Sequence, residues 1–369
     1  MSVVYKKLED VCEILDSRRV PITAKDRKAG AYPYYGANGL QDYVADYIFD
    51  DELVLLAEDG GNFGSKERPI AYRVSGKCWV NNHAHVLKAK PNMHVDYLCY
   101  ALMFYDTEGL VNGATRQKLT QAAMRQMVIP YRDMTEQLQI IEKISQIVRA
   151  IEKRKEELQL LDQLVKSRFI ELFGDPVVNP KGFPCYTVGE VIDFQGGSQP
   201  DKKYFEYEPS PDNIRLIQIR DYKSDKYITY IPKTMAKRFC TADDIMIGRY
   251  GPPIFQILKG IEGSFNVALM KATPKMGNRE FVRQFLKQDC LLDYLEGLSK
   301  RTAGQDGIQM DKLKAYPFPY PPIELQEQFA AFVEQTDKSK YYSSLSFRYC
   351  QAAANTYRQE WMTCRTSDF

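Results

Sequence analysis

One stretch of the chain carries a single, sustained hydrophobic period. Between residues 135 and 173 there is no Pro and no Gly, and apolar residues recur at alternating steps of four and three. They fall at Ile140, Ile144, Ile147, Ile151, Leu158, Leu161, Val165 and Leu172, with Arg154 and Arg168 on the same seam. A period near 3.5 over that length predicts a heptad helix that needs a second helix against its seam. The residues between are charged, as in Glu152-Lys153-Arg154-Lys155-Glu156-Glu157, and Gly174 followed by Pro176 is the expected stop. About 39 residues at roughly 1.5 Å each make a rod of about 60 Å.

On either side the pattern changes to short strand-like runs mixed with short helices. Before the long helix the strand-like runs are 52–57, 70–74 and 78–88, with a helix-like run at 95–105. After it they are 213–219, 226–231, 244–247 and 264–272, with a helix-like run at 279–298. This predicts two mixed α/β regions with twisted mixed sheets. Loops rich in Gly, Asn, Lys and Arg separate the runs, at 58–68, 113–118, 249–259 and 300–307.

The two regions echo each other in order. Pro130 of Ile129-Pro130-Tyr131-Arg132-Asp133-Met134-Thr135-Glu136-Gln137 matches Pro321 of Tyr320-Pro321-Pro322-Ile323-Glu324-Leu325-Gln326-Glu327-Gln328, an offset of 191 residues. Both read as an apolar strand end, a proline and an acidic helix start, which suits the positive end of the helix dipole. Upstream, Leu8-Glu9-Asp10-Val11-Cys12 echoes Val188-Gly189-Glu190-Val191-Ile192. Asp51-Glu52-Leu53-Val54-Leu55 echoes Asp243-Asp244-Ile245-Met246-Ile247, and His85-Val86-Leu87-Lys88-Ala89 echoes Ala268-Leu269-Met270-Lys271-Ala272. Four echoes in the same order indicate a duplicated module. The second copy starts its helix with Leu325, Phe329 and Phe332, then reaches Thr336, Ser339 and Ser343 and loses the pattern. That predicts a second helix that is short or atypical after about residue 340. The expected division is 1–132, a helix at 133–173, 174–323 and a second helix region at 324–369.

Composition excludes more than it selects. The 369 residues suffice for two cores, and 50 Lys and Arg against 48 Asp and Glu leave a formal net charge of +2. A near-neutral total gives no global nucleic-acid signal, although local basic faces remain open. The 8 cysteines are scattered without a CxxC pair, so free thiols in a reducing cytoplasm are expected. No apolar run is long enough to span a membrane.

Catalytic signatures are weak. Asp193-Phe194-Gln195-Gly196-Gly197 and Gly251-Pro252-Pro253-Ile254 only superficially resemble methyltransferase motifs, and no GxxxxGK[ST] phosphate loop is present. His83 and His85 would share one face of a strand near Cys78, but no fourth zinc ligand is evident. Asp50-Asp51-Glu52 and Asp243-Asp244 read as turn residues before strands rather than a nuclease metal site. No catalytic or metal site is expected. The polar loops instead carry the residue types that read base edges or hold phosphates. By loop position and type the candidates for DNA contact are Asn62, Lys66, Arg68, Arg116 and Lys118 in the first copy. In the second they are Arg249, Tyr250, Lys259, Arg301 and Gln305.

The arrangement resembles the DNA-specificity (S) subunits of type I restriction-modification systems. The resemblance is carried by the two proline-then-acidic helix starts and by Ala57-Glu58-Asp59-Gly60 with Trp79-Val80-Asn81-Asn82-His83-Ala84-His85. Gly248-Arg249-Tyr250-Gly251 with Phe265-Asn266-Val267-Ala268-Leu269 carries it in the second copy, and it covers about residues 5 to 335. It implies two target-recognition domains on double-stranded DNA, each reading half of a bipartite site, separated by antiparallel conserved helices. It implies a non-catalytic chain that docks type I methyltransferase (M) subunits using S-adenosylmethionine. Through them it would dock restriction (R) subunits using ATP and Mg. The competing reading is a coiled-coil adaptor whose α/β domains bind protein.

Overall fold

The computed structural model describes residues 4–66, 68–113, 117–250, 254–299 and 308–362. The chain folds as two compact units, Met1–Lys155 with Leu345–Phe369, and Glu156–Ser344. No helix among the described residues is long and apolar enough to cross a membrane. All seven cysteines among them are free thiols.

The first unit runs β1 (Val4–Lys7), α1 (Leu8–Val11), β2 (Cys12–Ile14), β3 (Ala29–Gly36), β4 (Gly39–Val44), β5 (Phe49–Ala57), β6 (Ala71–Val80) and β7 (Ala84–Ala89). It continues α2 (Val95–Leu102), β8 (Val111–Asn112), β9 (Lys118–Leu119), α3 (Gln121–Gln126), β10 (Val128–Tyr131) and the first part of α4 (Met134–Phe173). Six strands form one sheet in the order β2-β7-β5-β6-β3-β4. Only β3 and β6 run parallel, pairing Tyr34 with Trp79 and Tyr35 with Val80. Alternation along β5 explains why both faces are covered. Val54 and Leu56 pack against Leu8, Leu98 and Met124 of the helices, whereas Leu53 and Leu55 join Val74, Cys78 and Val86 on the other face.

The second unit repeats this plan. After α4 come β11 (Cys185–Thr187), α5 (Val188–Val191), β12 (Ile192–Gly196), β13 (Asn213–Ile217), β14 (Tyr230–Pro232), β15 (Phe239–Cys240), β16 (Ile245–Gly248), β17 (Gln256–Lys259), β18 (Gly263–Phe265) and β19 (Leu269–Pro274). Then follow α6 (Arg279–Leu286), α7 (Asp289–Ser299), α8 (Met310–Lys314), β20 (Pro317–Pro319) and α9 (Ile323–Met362). The strands form two sheets, β12-β19-β16-β17 and β14-β13-β18-β15. Joined end to end, β17 and β18 occupy the place of β6, and the strand order of the first unit returns. Parallel pairing of Leu216 with Ser264 and Ile217 with Phe265 matches the β3–β6 contact. Glycines mark the break: a Cβ on Gly260 would lie 1.8 Å from the Thr241 carbonyl oxygen, and Gly263 sits at φ +151.

The long helices correct two expectations. The second is neither short nor truncated, since α4 and α9 are both 40 residues long. Their starts at Met134 and Ile323 set an offset of 189 residues rather than 191. In that register the seam Ile140, Ile144, Ile147, Ile151, Arg154, Leu158, Leu161, Val165 and Arg168 becomes Phe329, Val333, Thr336, Lys340, Ser343, Phe347, Cys350, Ala354 and Tyr357. Every one of those α9 residues is buried or half-buried. Reading Leu325, Phe332 and Ser339 as seam residues mixes two neighbouring stripes, and Ser339 is exposed. The middle of the true seam is polar but satisfied. The Thr336 hydroxyl donates to the Phe332 carbonyl at 2.9 Å, and the Lys340 ammonium lies 2.7 Å from Asp162 of α4. Asp337 beside it takes Lys259 at 2.8 Å and Arg283 at 3.6 Å. Helix-favouring Gln351 and Ala352–Ala354 carry the helix onward.

Each unit closes its core with a half of each helix, and the pairing is antiparallel in both. In the first unit Ile140, Ile144 and Tyr357 pack on the α2 side of the core. In the second, Phe169 stacks on Phe281 at 5.7 Å and meets Phe329 edge-on at 5.6 Å, with Phe173 also 5.3 Å from Phe329. Near each helix start a fully buried glutamine is tied to the adjoining loop. The Gln137 side chain accepts from the His94 N–H at 2.7 Å and donates to the Asn92 and Arg132 carbonyls. Gln326 accepts from the Asn278 N–H at 2.8 Å and donates to the Pro321 carbonyl at 2.8 Å. The helix-like run 279–298 is broken after Leu286, where α6 ends and α7 begins at Asp289.

The aromatic cluster generates a stability prediction. Phe169→Ala removes the ring that Phe173, Phe281 and Phe329 share, and is expected to cost about 3–5 kcal/mol. Urea unfolding of the purified chain measures it, and an unchanged midpoint would show that the cluster is not the core of this unit.

Candidate functional site

The same backbone rim recurs where the central strand of each unit ends. The Glu58 N–H donates to the His83 carbonyl at 2.9 Å, and the Arg249 N–H donates to the Ala268 carbonyl at 2.9 Å. An asparagine turns the neighbouring strand in both units. Asn81 donates its N–H to the Tyr35 carbonyl and accepts the His83 N–H, while Asn266 donates to the Ile217 carbonyl and accepts the Ala268 N–H. Both asparagines are buried, at 3% and 7% exposed. The pairing therefore makes Glu58 equivalent to Arg249, His85 to Met270 and Asp16 to Gly196.

Identical scaffolds carry opposite chemistry at these positions. In the first unit Asp16, Glu58 and His85 converge beneath the rim. His85 is fully buried, with Nδ1 2.6 Å from Asp16 and Nε2 2.9 Å from the Leu119 carbonyl. Arg19 lies 2.7 Å from Glu58 and also donates to the Ala84 carbonyl at 2.8 Å, while Lys118 lies 3.0 Å from Glu58. Burial alone would raise both carboxyls. His85, the Val86 N–H and Gln121 hold Asp16 below the ordinary range, and Arg19 and Lys118 do the same for Glu58. The ligand types suit a metal, but Arg19 and Lys118 already balance these carboxylates, so the cluster reads as an internal ion-pair network.

The second unit lacks that network. Gly196 and Met270 stand where Asp16 and His85 stood, and Arg249 stands where Glu58 stood. Its guanidinium lies 5.4 Å from the ring of Tyr250, which is 49% exposed. A Cβ on Gly196 would come within 4.0 Å of the Arg249 Nη1 atom.

The residues singled out from sequence are distributed unevenly. Asn62 donates to Asn38 at 3.1 Å, and Asn38 donates to the Gly60 carbonyl, so that amide ties two loops together. Lys66 and Arg68 are exposed on the same loop. Lys118 is committed to Glu58, and Lys259 to Asp337 on α9. Arg249 and Tyr250 share one rim. Arg116, Arg301 and Gln305 lie outside the described residues.

His83 and His85 do not act as a pair. His83 precedes the strand and contacts Asp59 at 2.7 Å, and Cys78 packs on the sheet face opposite the helices. The acidic pairs are also paired internally: Asp51 with Lys88 at 2.5 Å, Glu52 with Arg73, and Asp244 with Lys271 at 3.4 Å. Sequence reading missed Asp16 and Arg19. The one visible signal was Glu58 against Arg249 in otherwise matching motifs.

The chain is thus one α/β scaffold present twice, with differing side chains at equivalent rims and a long antiparallel helix pair. The family model described as the type I restriction modification DNA specificity domain matches residues 2–161 and again 180–341. The chain belongs to that family, the non-catalytic specificity subunits of type I restriction-modification systems. A Haemophilus influenzae protein described as a type I restriction enzyme specificity subunit is 37% identical over 139 residues. That match spans 38% of this chain and 36% of the relative. The crystal structure of the S subunit from M. genitalium aligns with a TM-score of 0.59 at 13% identity, covering 99% of this chain and 96% of that one. A structure described with the assembly and conformational transition of the type I R-M system aligns at 0.53 and 15% identity, covering 98% of each. At these identities the two structures show the shared fold.

The Arg19–Glu58 pair gives a pH prediction. The Glu58 carboxyl is held low in the fold, so its contribution is complete at neutral pH and is lost as pH falls through the lowered value. Arg19→Ala is expected to cost about 3 kcal/mol at pH 7. The gap between variant and wild type should narrow below about pH 4 in melting curves taken across pH; a constant gap would mean that the pairing is not electrostatic.

Proposed function

We propose that the chain is the sequence-specific DNA-binding subunit of a type I methyltransferase and restriction complex, and that it reads a bipartite target with one unit on each half. The observation that carries this is one scaffold present twice with different side chains at the same rim positions, Glu58 against Arg249 and Asp16 against Gly196. Two copies of a reader that must recognise two different sequences need that combination of constant backbone and variable side chains. Residues 1–132 and 174–323 act as the recognition domains, and the helices at 133–173 and 324–369 separate them and dock the methyltransferase subunits. The methyltransferase partner uses S-adenosylmethionine as its methyl donor, and the restriction subunits joined through it use ATP and Mg. The setting is the cytoplasm, where such a complex meets duplex DNA.

Roles follow from this reading. Arg249 with Tyr250 forms the contact of the second unit, and Asn62, Lys66 and Arg68 form that of the first. Lys118 and Lys259 reach DNA only by releasing Glu58 and Asp337. Arg116 of the 113–118 loop and Arg301 and Gln305 of the 300–307 loop join them by loop position and residue type.

Methylome sequencing of cells expressing the chain with a methyltransferase partner tests the reading. A split methylated motif is expected, and exchanging residues 1–132 for those of another specificity subunit should change one half of it only. Binding should weaken steeply with salt. No methylated motif and no salt-dependent duplex shift would leave the adaptor reading in its place. Separately, Arg249→Ala is expected to weaken binding to the mapped target about tenfold or more in a fluorescence titration, and unchanged binding removes Arg249 from the interface.

A further inference from the structure

The second unit carries another arginine on a segment that abuts that of Arg249. A short 3-10 turn, Ile219–Tyr222, follows β13. Gly248 at the end of β16 packs so closely on Ile219 that a Cβ there would lie 2.7 Å from its Cδ1. Arg220 and Arg249 are the next residues on these two abutting segments. Arg220 repeats the arrangement of its neighbour, with its guanidinium 5.9 Å from the ring of Tyr227, which is 58% exposed.

Arg220 is also held from behind. Its Nη2 donates to the Thr229 hydroxyl at 3.1 Å, and Thr229 is fully buried. Its Nε lies 4.0 Å from Asp221 Oδ1. Asp221 is buried, and its Oδ2 accepts the Gln218 N–H at 3.2 Å and faces Arg215 at 3.6 Å. Its Oδ1 is buried without a hydrogen-bond donor. Burial pushes this carboxyl up despite Gln218, Arg215 and Arg220. A buried acceptor in that state gains by drawing the Arg220 Nε the remaining distance. The Nε side of the guanidinium thus faces the protein and its far end faces outward. A phosphate contact needs charge but little orientation, whereas a bidentate contact to a base edge needs a fixed fork. The equivalent place in the first unit is Asn38, whose amide is spent on the Gly60 carbonyl and Asn62.

We propose that Arg220 is a specificity-determining residue that reads a guanine in the second unit's half of the target, with Asp221 and Thr229 as its positioning residues. This rests on the DNA-reading function proposed above and names the base class for one of its halves.

The test uses the full chain with its methyltransferase partner, comparing wild type, Arg220→Lys, Arg220→Ala and Asp221→Asn by methylome sequencing and by titration against duplexes substituted one base pair at a time. Arg220→Lys keeps the charge and loses the fork. It is expected to relax the motif at a single G·C pair, with a loss of discrimination of about 10- to 100-fold there. Asp221→Asn should relax the same pair to a smaller degree. Arg220→Lys behaving as wild type, or Arg220→Ala weakening all duplexes equally, would mean a phosphate contact and overturn the proposal; an unchanged Arg220→Ala motif and affinity overturns it as well. A wild-type chain that directs no methylation overturns the functional reading, and this inference with it. Circular dichroism melts on each variant separate these outcomes from misfolding, because Arg220 lies at the surface.

Discussion

Neither compact unit closes its core from a single copy of the repeat. Each takes one half of α4 and one half of α9, and the antiparallel packing of those halves is the constraint from which the rest follows. In the first unit the α4 seam brings Ile140 and Ile144 to α2 and to Tyr357. In the second, Phe169 and Phe173 join Phe281 and Phe329 in one aromatic core. The helices are structural members of both units. A pair of buried glutamines, Gln137 and Gln326, fastens each helix start to the domain that precedes it. These buried amides have both ends partnered, which is the condition under which interior polar groups are tolerated.

With the plan of helices and sheets held in common, the rims differ most in charge. The backbone bonds of Glu58 and Arg249 are the same, and so are those of Asn81 and Asn266. In the first unit Arg19 and Lys118 pair with the acidic side chains at the rim, and His85 hydrogen-bonds Asp16. In the second, glycine and methionine replace the acid and the histidine, and arginines stacked on exposed tyrosines stand at the surface. An internally compensated network spends its charges within the protein, whereas a guanidinium on an exposed ring keeps donors for an outside partner. A duplicated protein can hold one architecture while the two surfaces diverge, because the backbone bonds and core carry the fold and the rim side chains do not.

Local periodicity made much of this legible in the sequence. The heptad seam of α4 is set by residues three and four apart on one helix, and the strand runs by alternation within a few residues. The duplication was visible for the same reason, since its echoes are short and contiguous. The offset of 191 came from aligning prolines, whereas the helix starts and the glutamines align at 189. At 189 Pro130 of β10 matches Pro319 of β20, so pairing it with Pro321 took the wrong one of two nearby prolines. The length of α9 was hidden because its seam turns polar at Thr336, Lys340 and Ser343, which no hydrophobic pattern reports.

The sequence by itself therefore determined the duplicated α/β plan, the long first helix and the absence of a recognisable catalytic motif, all properties of near neighbours along the chain. Only the tertiary structure decided that the second helix is as long as the first, because the partners of its polar stretch, Asp162 on Lys340 and Lys259 and Arg283 on the neighbouring Asp337, come from distant elements. It alone showed that Lys118 and Lys259 are engaged and that the segments carrying Arg220 and Arg249 abut. A side chain's availability depends on which charges surround it in space, and sequence spacing does not record that.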